Sequence, residues 1–397
     1  MGKGIELYCD GERIFLSRDY RVEGVAKRDF IERSDVKVVW QSAKLSETPV
    51  RLTNTRYHLI GAGGSKLFRM ERATGETVEI NAGNEVKDLA SDLRDVFFVT
   101  AEGIYRVPAE RFAEGEVVRY PVSDTLDMPI KSIDILGDTL FVIAGNFLYK
   151  LNSKGEKLAE KSLVDGVKVL SDYEGAVAVT EKELIYFTDD MEVLSSGGYE
   201  GVFLKAEHGA YNTFLLSDKT FSVFGKTGRR YAHVDHAHYT SFTEGLNHIY
   251  FYDEEEGSLS LGGKKDLLGD NFQEIDLTTL VGIVMGSLML AEREGAEVIV
   301  KEEKGFIDAH INGEHVPIEL VMLKVSKYFP EVFYLYKNPG YYEEIESFAE
   351  RFDIFRVEGK DVRLNTELLE RLLEMHSSFK TFSEDIARDV ISLAVKA

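Results

Sequence analysis

Four side chains able to ligate a metal ion crowd into ten residues, "YAHVDHAHYT" at 231–240, where His233, Asp235, His236 and His238 stand together in a chain with nine histidines. Neutral imidazoles plus a carboxylate suit zinc or iron, and a metal held there would activate a bound water for a hydrolase or lyase reaction. His208 and His248 are further candidate ligands from nearby turns. On an ideal strand, however, side chains alternate, so His233 and Asp235 share one face while His236 and His238 share the other. Convergence of all four requires the chain to bend. Without that bend they are ordinary solvated or hydrogen-bonded imidazoles.

Other chemistry-bearing stretches have simpler readings. "GKTG" at 225–228 lacks the glycine that a phosphate loop places five residues before its Gly-Lys pair, Thr220 standing there instead, and it reads as a hairpin turn. "GAGGS" at 61–65 lacks the third glycine of a dinucleotide fingerprint and no helical pattern follows it. Asp253 to Glu256 puts four carboxylates on one loop, a solvated tip or a lure for a basic partner. Cys9 has no neighbouring histidine or acid in a nucleophile arrangement, and no serine occupies a G-x-S-x-G elbow. The expectation is a protein with no catalytic residues and no cofactor.

The elements that would position these residues are repeats. Segments starting at 50, 86, 130, 167, 202 and 238 each show an alternating strand, a polar turn, a more continuously apolar strand, a second turn and a third strand. Their spacings of 36, 44, 37, 35 and 36 residues fit a four-stranded antiparallel unit. A recurrent third turn, "RATGET", "AEGEV", "NSKGEK" and "GKTGRR", predicts positive φ at Gly75, Gly115, Gly155 and Gly228. Residues 4–49 supply a first unit, and a strand at Ile5 to Cys9 is expected to complete the three-stranded last repeat and so close a ring.

These repeats resemble those of seven-bladed β-propellers of the quinoprotein-like and WD40-like superfamilies, with six or eight blades as the neighbouring counts. The resemblance covers residues 1–270 and is one of fold. No Trp-Asp dipeptide recurs, no Gly-His signature marks each blade, and Trp40 is the single tryptophan, so neither group's cofactor chemistry carries over. The histidine order "HVDHAH" also differs from the HxHxDH of metallo-β-lactamase-like hydrolases.

Residues 271–397 change pattern to an α+β module. Asp276 caps a helix through "LTTLVGIVMGSLMLAEREG", strands follow with turns at Gly305 and Asn312-Gly313, and a second helix is expected near 317–328. Then come an apolar strand "VFYLY", a helix "YYEEIESFAERF", a hairpin at Glu358-Gly359-Lys360, and two helices capped by Thr366 and Ser383. Gly282 and Gly286 form a small-residue face whose default role is internal packing and whose sharper role is self-association. With Tyr334, Tyr336, Tyr341 and Tyr342 they are the candidate interaction residues.

The net charge is −22, and residues 271–397 hold 24 acids against 14 bases, leaving −12 for the rest. Such a surface disfavours extensive nucleic-acid binding and attracts basic proteins. No signal peptide opens the chain and its one cysteine forms no internal disulfide, which points to the cytoplasm. The longest apolar run, 277–291, is too short to span a membrane. Two glutamines and abundant Glu, Lys and Arg suit a thermophilic origin. The functional expectation is a non-catalytic scaffold for a basic protein or a large assembly such as the ribosome, acting as a dimer. Its rivals are the metal-assisted enzyme and a protein that only forms homo-oligomers.

Overall fold

A computed structural model describes residues 5–32, 36–236, 238–303, 305–338, 355–358 and 361–395. The chain divides into two compact units, Met1–Phe272 and Gln273–Ala397.

The first unit is a seven-bladed β-propeller. Six antiparallel sheets of four strands occupy residues 6–41, 51–81, 88–119, 130–162, 166–198 and 203–235, and a three-stranded sheet occupies 239–263. They are blades 1 to 7. In each, the second strand is buried on both faces, as in Thr139–Ala144 and Gly175–Thr180. Neighbouring blades stack through these apolar faces. Phe141 and Ile143 of blade 4, for example, share a cluster with Val169 and Ala178 of blade 5.

The third turns follow the glycine pattern: φ is +78° at Gly75, +66° at Gly115, +81° at Gly155 and +74° at Gly228. Close approach adds a second constraint. A Cβ on Gly75 would stand 2.0 Å from Gln41 O, and one on Gly228 2.2 Å from Ser196 O, because each turn packs on the outer strand of the preceding blade.

Ring closure differs from expectation. Glu6–Cys9 is the innermost strand of blade 1, paired with Arg13–Arg18, and completes no other sheet. The ring closes through side chains. Ser241 Oγ accepts the Leu7 amide at 3.2 Å, Cys9 Sγ donates to Glu244 O at 2.8 Å, and Leu7, Cys9 and Ile14 pack with Tyr250 and Tyr252.

The second unit has a five-stranded antiparallel sheet in the spatial order 314–316, 306–311, 298–303, 361–364, 355–358. Helix Leu277–Arg293 is capped as expected, Asp276 accepting the Thr279 amide at 2.9 Å. Helix Ile318–Val325 lies in the predicted place. "VFYLY" forms a helix, Val332–Lys337, rather than a strand: an apolar run buried on all sides carries no period to separate the two. Ser377–Ile391 is two helical segments meeting at a kink at Phe382, with φ −121° and ψ 19°, and the second segment begins at Ser383 as expected. "YYEEIESFAERF" falls outside the described residues. No described helix is long and apolar enough to cross a membrane.

Candidate interaction face and channel

The innermost strands carry polar residues that reach the innermost strands of neighbouring blades. Asp88 of blade 3, only 2% exposed, accepts from Ser132 Oγ at 2.5 Å and the Ile133 amide at 3.1 Å, both of blade 4. It also receives Lys168 Nζ from blade 5 at 2.7 Å, and Arg51 of blade 2 stands 3.8 Å away. Burial opposes ionisation of Asp88, but Lys168 and Arg51 outweigh it and hold the carboxyl below its ordinary range. One carboxylate thus ties four blades together.

A second clamp lies opposite. Lys205 of blade 6 meets Glu6 at 2.9 Å, Glu207 at 3.1 Å and the Leu7 carbonyl. Despite burial, Glu6 and Glu207 raise the Lys205 pKa, whereas burial dominates at Glu207 and raises its carboxyl. Between blades the same device recurs: the Val169 amide donates to Ser132 Oγ at 3.0 Å, Ser171 N to Asp134 at 2.6 Å and Glu244 N to Glu207 at 2.6 Å. These charged groups are occupied in holding the ring, which leaves them unsuited to acid–base work on a ligand.

One arrangement does have the order of a nucleophilic relay. Asp172 Oδ2 is 3.0 Å from His208 Nε2, and His208 Nδ1 is 2.8 Å from Thr213 Oγ1. Thr213 is 0% exposed, however, and Tyr186 of the preceding blade donates to its hydroxyl at 2.8 Å. Lys226 Nζ adds a contact to Asp172 at 2.9 Å. Burial disfavours the Asp172 carboxylate, yet His208 and Lys226 hold its pKa well below the usual carboxylate range. The relay stitches blade 5 to blade 6 and no substrate atom reaches it.

The histidines of 233–238 do not converge. His233 pairs with Asp235 at 3.3 Å and meets Ser222 Oγ at 3.4 Å, on one face as the alternation requires. His238 pairs with Glu255 at 2.8 Å, while His236 Nδ1 accepts the Tyr239 amide at 3.3 Å. Burial lowers the His236 pKa. Among the described residues no three His, Cys, Asp or Glu side chains are grouped to hold a metal ion.

In the second unit, Tyr334 and Tyr336 are 7% and 6% exposed, which makes them core residues. Tyr341 and Tyr342 lie outside the described residues. Gly282 and Gly286 are buried, and a Cβ on Gly286 would stand 3.0 Å from Leu373 Cδ2 and 3.3 Å from Phe379 Cζ. The small size of Gly286 serves packing against the unit's own helices. Val281, Val284, Met285, Ile307 and Met322 line a void of about 10 Å³, room for one water at most.

What stands open is the face where the chain enters each blade. The residue entering the innermost strand bonds the turn after the second strand in four successive blades: Gly145 N to Pro129 O at 2.9 Å, Glu181 N to Asp165 O at 3.1 Å, Asp218 N to Val202 O at 2.9 Å and Glu254 N to His238 O at 3.0 Å. On this rim Met128, Val164 and Val202 are 44%, 63% and 66% exposed. Asp127, Asp165, Glu181, Glu200 and Asp218 stand exposed around them, in no ion pair among the described residues, against Lys182 and Lys219. Apolar side chains set among unneutralised carboxylates suit a partner that brings both methyl groups and positive charge. Sequence reasoning missed this rim and the channel clamps. The polar alternation of "IKSIDIL", "VKVL" and "FLKAEH" was the signal for the clamps.

Sheet order identifies a seven-bladed β-propeller, followed by an α+β unit. The WD40 propeller domain of Doa1 is similar in fold, with a TM-score of 0.52, 10% identity and coverage of 66% of this chain and 93% of that one. AztD from Citrobacter koseri gives 0.51 at 8% identity, covering 65% and 93%. Likeness at such identity is one of fold alone. The chain belongs to the same family as a protein of Aquifex aeolicus (strain VF5) described as an uncharacterized protein, to which it is 56% identical over 387 residues, spanning 98% of this chain and 97% of that one. No protein-family model matches the chain.

Proposed function

We propose that the chain is a non-catalytic interaction scaffold whose propeller rim receives a basic protein. The observation that supports this most directly is the rim over blades 4 to 6, where Met128, Val164 and Val202 are open beside unpaired carboxylates. The net charge of −22 favours the same partner at long range. Within this reading, the assembly is one rich in basic proteins, the ribosome first among them, met in the cytoplasm by a dimeric scaffold.

The test is cosedimentation of the tagged chain with ribosomes and other large complexes from its native cell at low and moderate salt. Association at low salt, released by salt and weakened by Asp165→Lys and Glu181→Lys, is the expected result. A chain that sediments alone at low salt would overturn the proposal.

A further inference from the structure

The seven innermost strands share one register. In every blade the residue paired with the penultimate residue of the second strand is polar: Glu6, Arg51, Asp88, Lys168 and Lys205 in blades 1, 2, 3, 5 and 6, and a serine in blades 4 and 7. These positions stand at one level of the ring. Two contacts carry that level to the ring's axis: Lys168 of blade 5 passes blade 4 to meet Asp88 of blade 3 at 2.7 Å, and Lys205 of blade 6 passes blade 7 to meet Glu6 of blade 1 at 2.9 Å. Innermost strands that skip a neighbour touch across the central channel.

On the side of blades 2 to 5 this level holds more positive charge than its acids match. Arg51 Nε stands 3.8 Å from the Asp88 carboxylate that Lys168 already holds, its Nη1 donates to the Val50 carbonyl at 2.7 Å, and its side chain keeps 47% of its exposure. Lys131 is the extra residue of the bulge between Ile130 and Ser132, one step nearer the entry of blade 4. Its ammonium donates to the Gly166 carbonyl, at the first residue of the innermost strand of blade 5, at 3.2 Å and forms no ion pair among the described residues. The next carboxylate inward, Asp134, accepts from Ser171 N and Oγ. Three cations from blades 2, 4 and 5 therefore share the one carboxylate Asp88, an excess of two positive charges where residues 1–270 as a whole stand at −12.

We propose that the entry mouth of the channel over blades 2 to 5 binds a small phosphate-bearing dianion, held by Arg51, Lys131 and Lys168. Two excess charges match a phosphate monoester, which is a dianion above about pH 6. Tetrahedral oxygens suit donors that arrive from three blades, and a guanidinium fork suits a phosphoryl group. The Lys168–Asp88 pair is the floor of the site. It does not rest on the rim's partner.

Isothermal titration of the full chain with inorganic phosphate at low ionic strength and about pH 7.5, where the dianion predominates, tests this. The expected result is one saturable site with a Kd of about 1 mM or tighter, weakened roughly tenfold by Arg51→Gln and by Lys131→Gln. Lys157→Gln, which removes one positive charge from the outer strand of blade 4, should leave the affinity unchanged. Lys131 bonds only a backbone carbonyl, so Lys131→Gln should unfold at the wild-type temperature and its weaker binding cannot be misfolding. Absence of saturable binding overturns the proposal, as does an affinity indifferent to both mouth variants or lowered equally by Lys157→Gln. Equal binding of succinate, which carries the charge without the tetrahedral oxygens, overturns the phosphate as ligand. None of these outcomes bears on cosedimentation through the rim, so the two proposals fail separately.

Discussion

Replacing Asp88 by alanine should loosen the propeller from the inside. The carboxylate is 2% exposed and satisfies Lys168 Nζ at 2.7 Å, Ser132 Oγ at 2.5 Å and the Ile133 amide at 3.1 Å. Removing it deprives the Lys168 ammonium and the Ile133 amide of their acceptor. Breaking a buried pair from one side costs about 3–5 kcal/mol. The Lys168 side chain keeps 22% of its exposure and can turn toward water, which places the expected loss near the lower figure. At roughly 2 °C per kcal/mol for a domain of this size, the unfolding midpoint should fall by about 6–8 °C.

Thermal and guanidinium unfolding of Asp88→Ala, Lys168→Met and the double variant would measure this as a cycle. The double variant should lose less than the sum, with a coupling of about 1–3 kcal/mol, because the stranded charge is gone. The folded-state pKa of Asp88 lies below the unfolded value, so its contribution is present above about pH 4 and lost as pH falls through the folded pKa. The gap between wild type and Asp88→Ala should accordingly close on acidification. A single variant within 2 °C of wild type, roughly 1 kcal/mol by the same conversion, or a cycle with no coupling, would refute the clamp.

Gly228→Ala should destabilise the propeller by about 1–3 kcal/mol in chemical denaturation, since φ is +74° and the new Cβ meets Ser196 O at 2.2 Å. Gly286→Ile should lower the stability of the second unit through collision with Leu373 and Phe379, read as a shift in its unfolding transition with the propeller transition unmoved. Burial, with Arg69 and Arg72 nearby, takes the His58 pKa down to about 4. The unfolded chain therefore binds the extra proton between about pH 4 and 6.5, and stability should rise with pH through that window. His58→Phe should flatten the rise by about 1–2 kcal/mol, a figure reduced for the part of the ring that solvent screens.

The ring was largely legible in the sequence, and the reason is local. Turns demand particular backbone conformations, so Gly75, Gly115, Gly155 and Gly228 announced the third turn of their blades at fixed spacing. What local pattern could not supply was partnership. Leu7 and Cys9 alternate inward whether Glu6–Cys9 begins blade 1 or ends blade 7, and only the pairing with Ile14 and Leu16 decides. "VFYLY" erred for a related reason, because burial on every side erases the period. The clamps were hidden by distance: Asp88 and Lys168 lie 80 residues apart, and the curvature of the ring, which no local window contains, brings them together. The histidine cluster shows the converse, since adjacency in sequence scattered its members to Asp235, Tyr239 and Glu255.

The two kinds of charge in the propeller have different work. Among the innermost strands, Asp88 pairs with Lys168 and Glu6 with Lys205, so the field of each pair is largely cancelled within the ring. The excess of acids that leaves residues 1–270 at −12 therefore lies toward the outer surface, where Asp165, Glu181, Glu200 and Asp218 form no ion pair among the described residues. Unneutralised surface charge strains a compact fold by self-repulsion, and a basic partner would relieve that repulsion while covering Met128, Val164 and Val202.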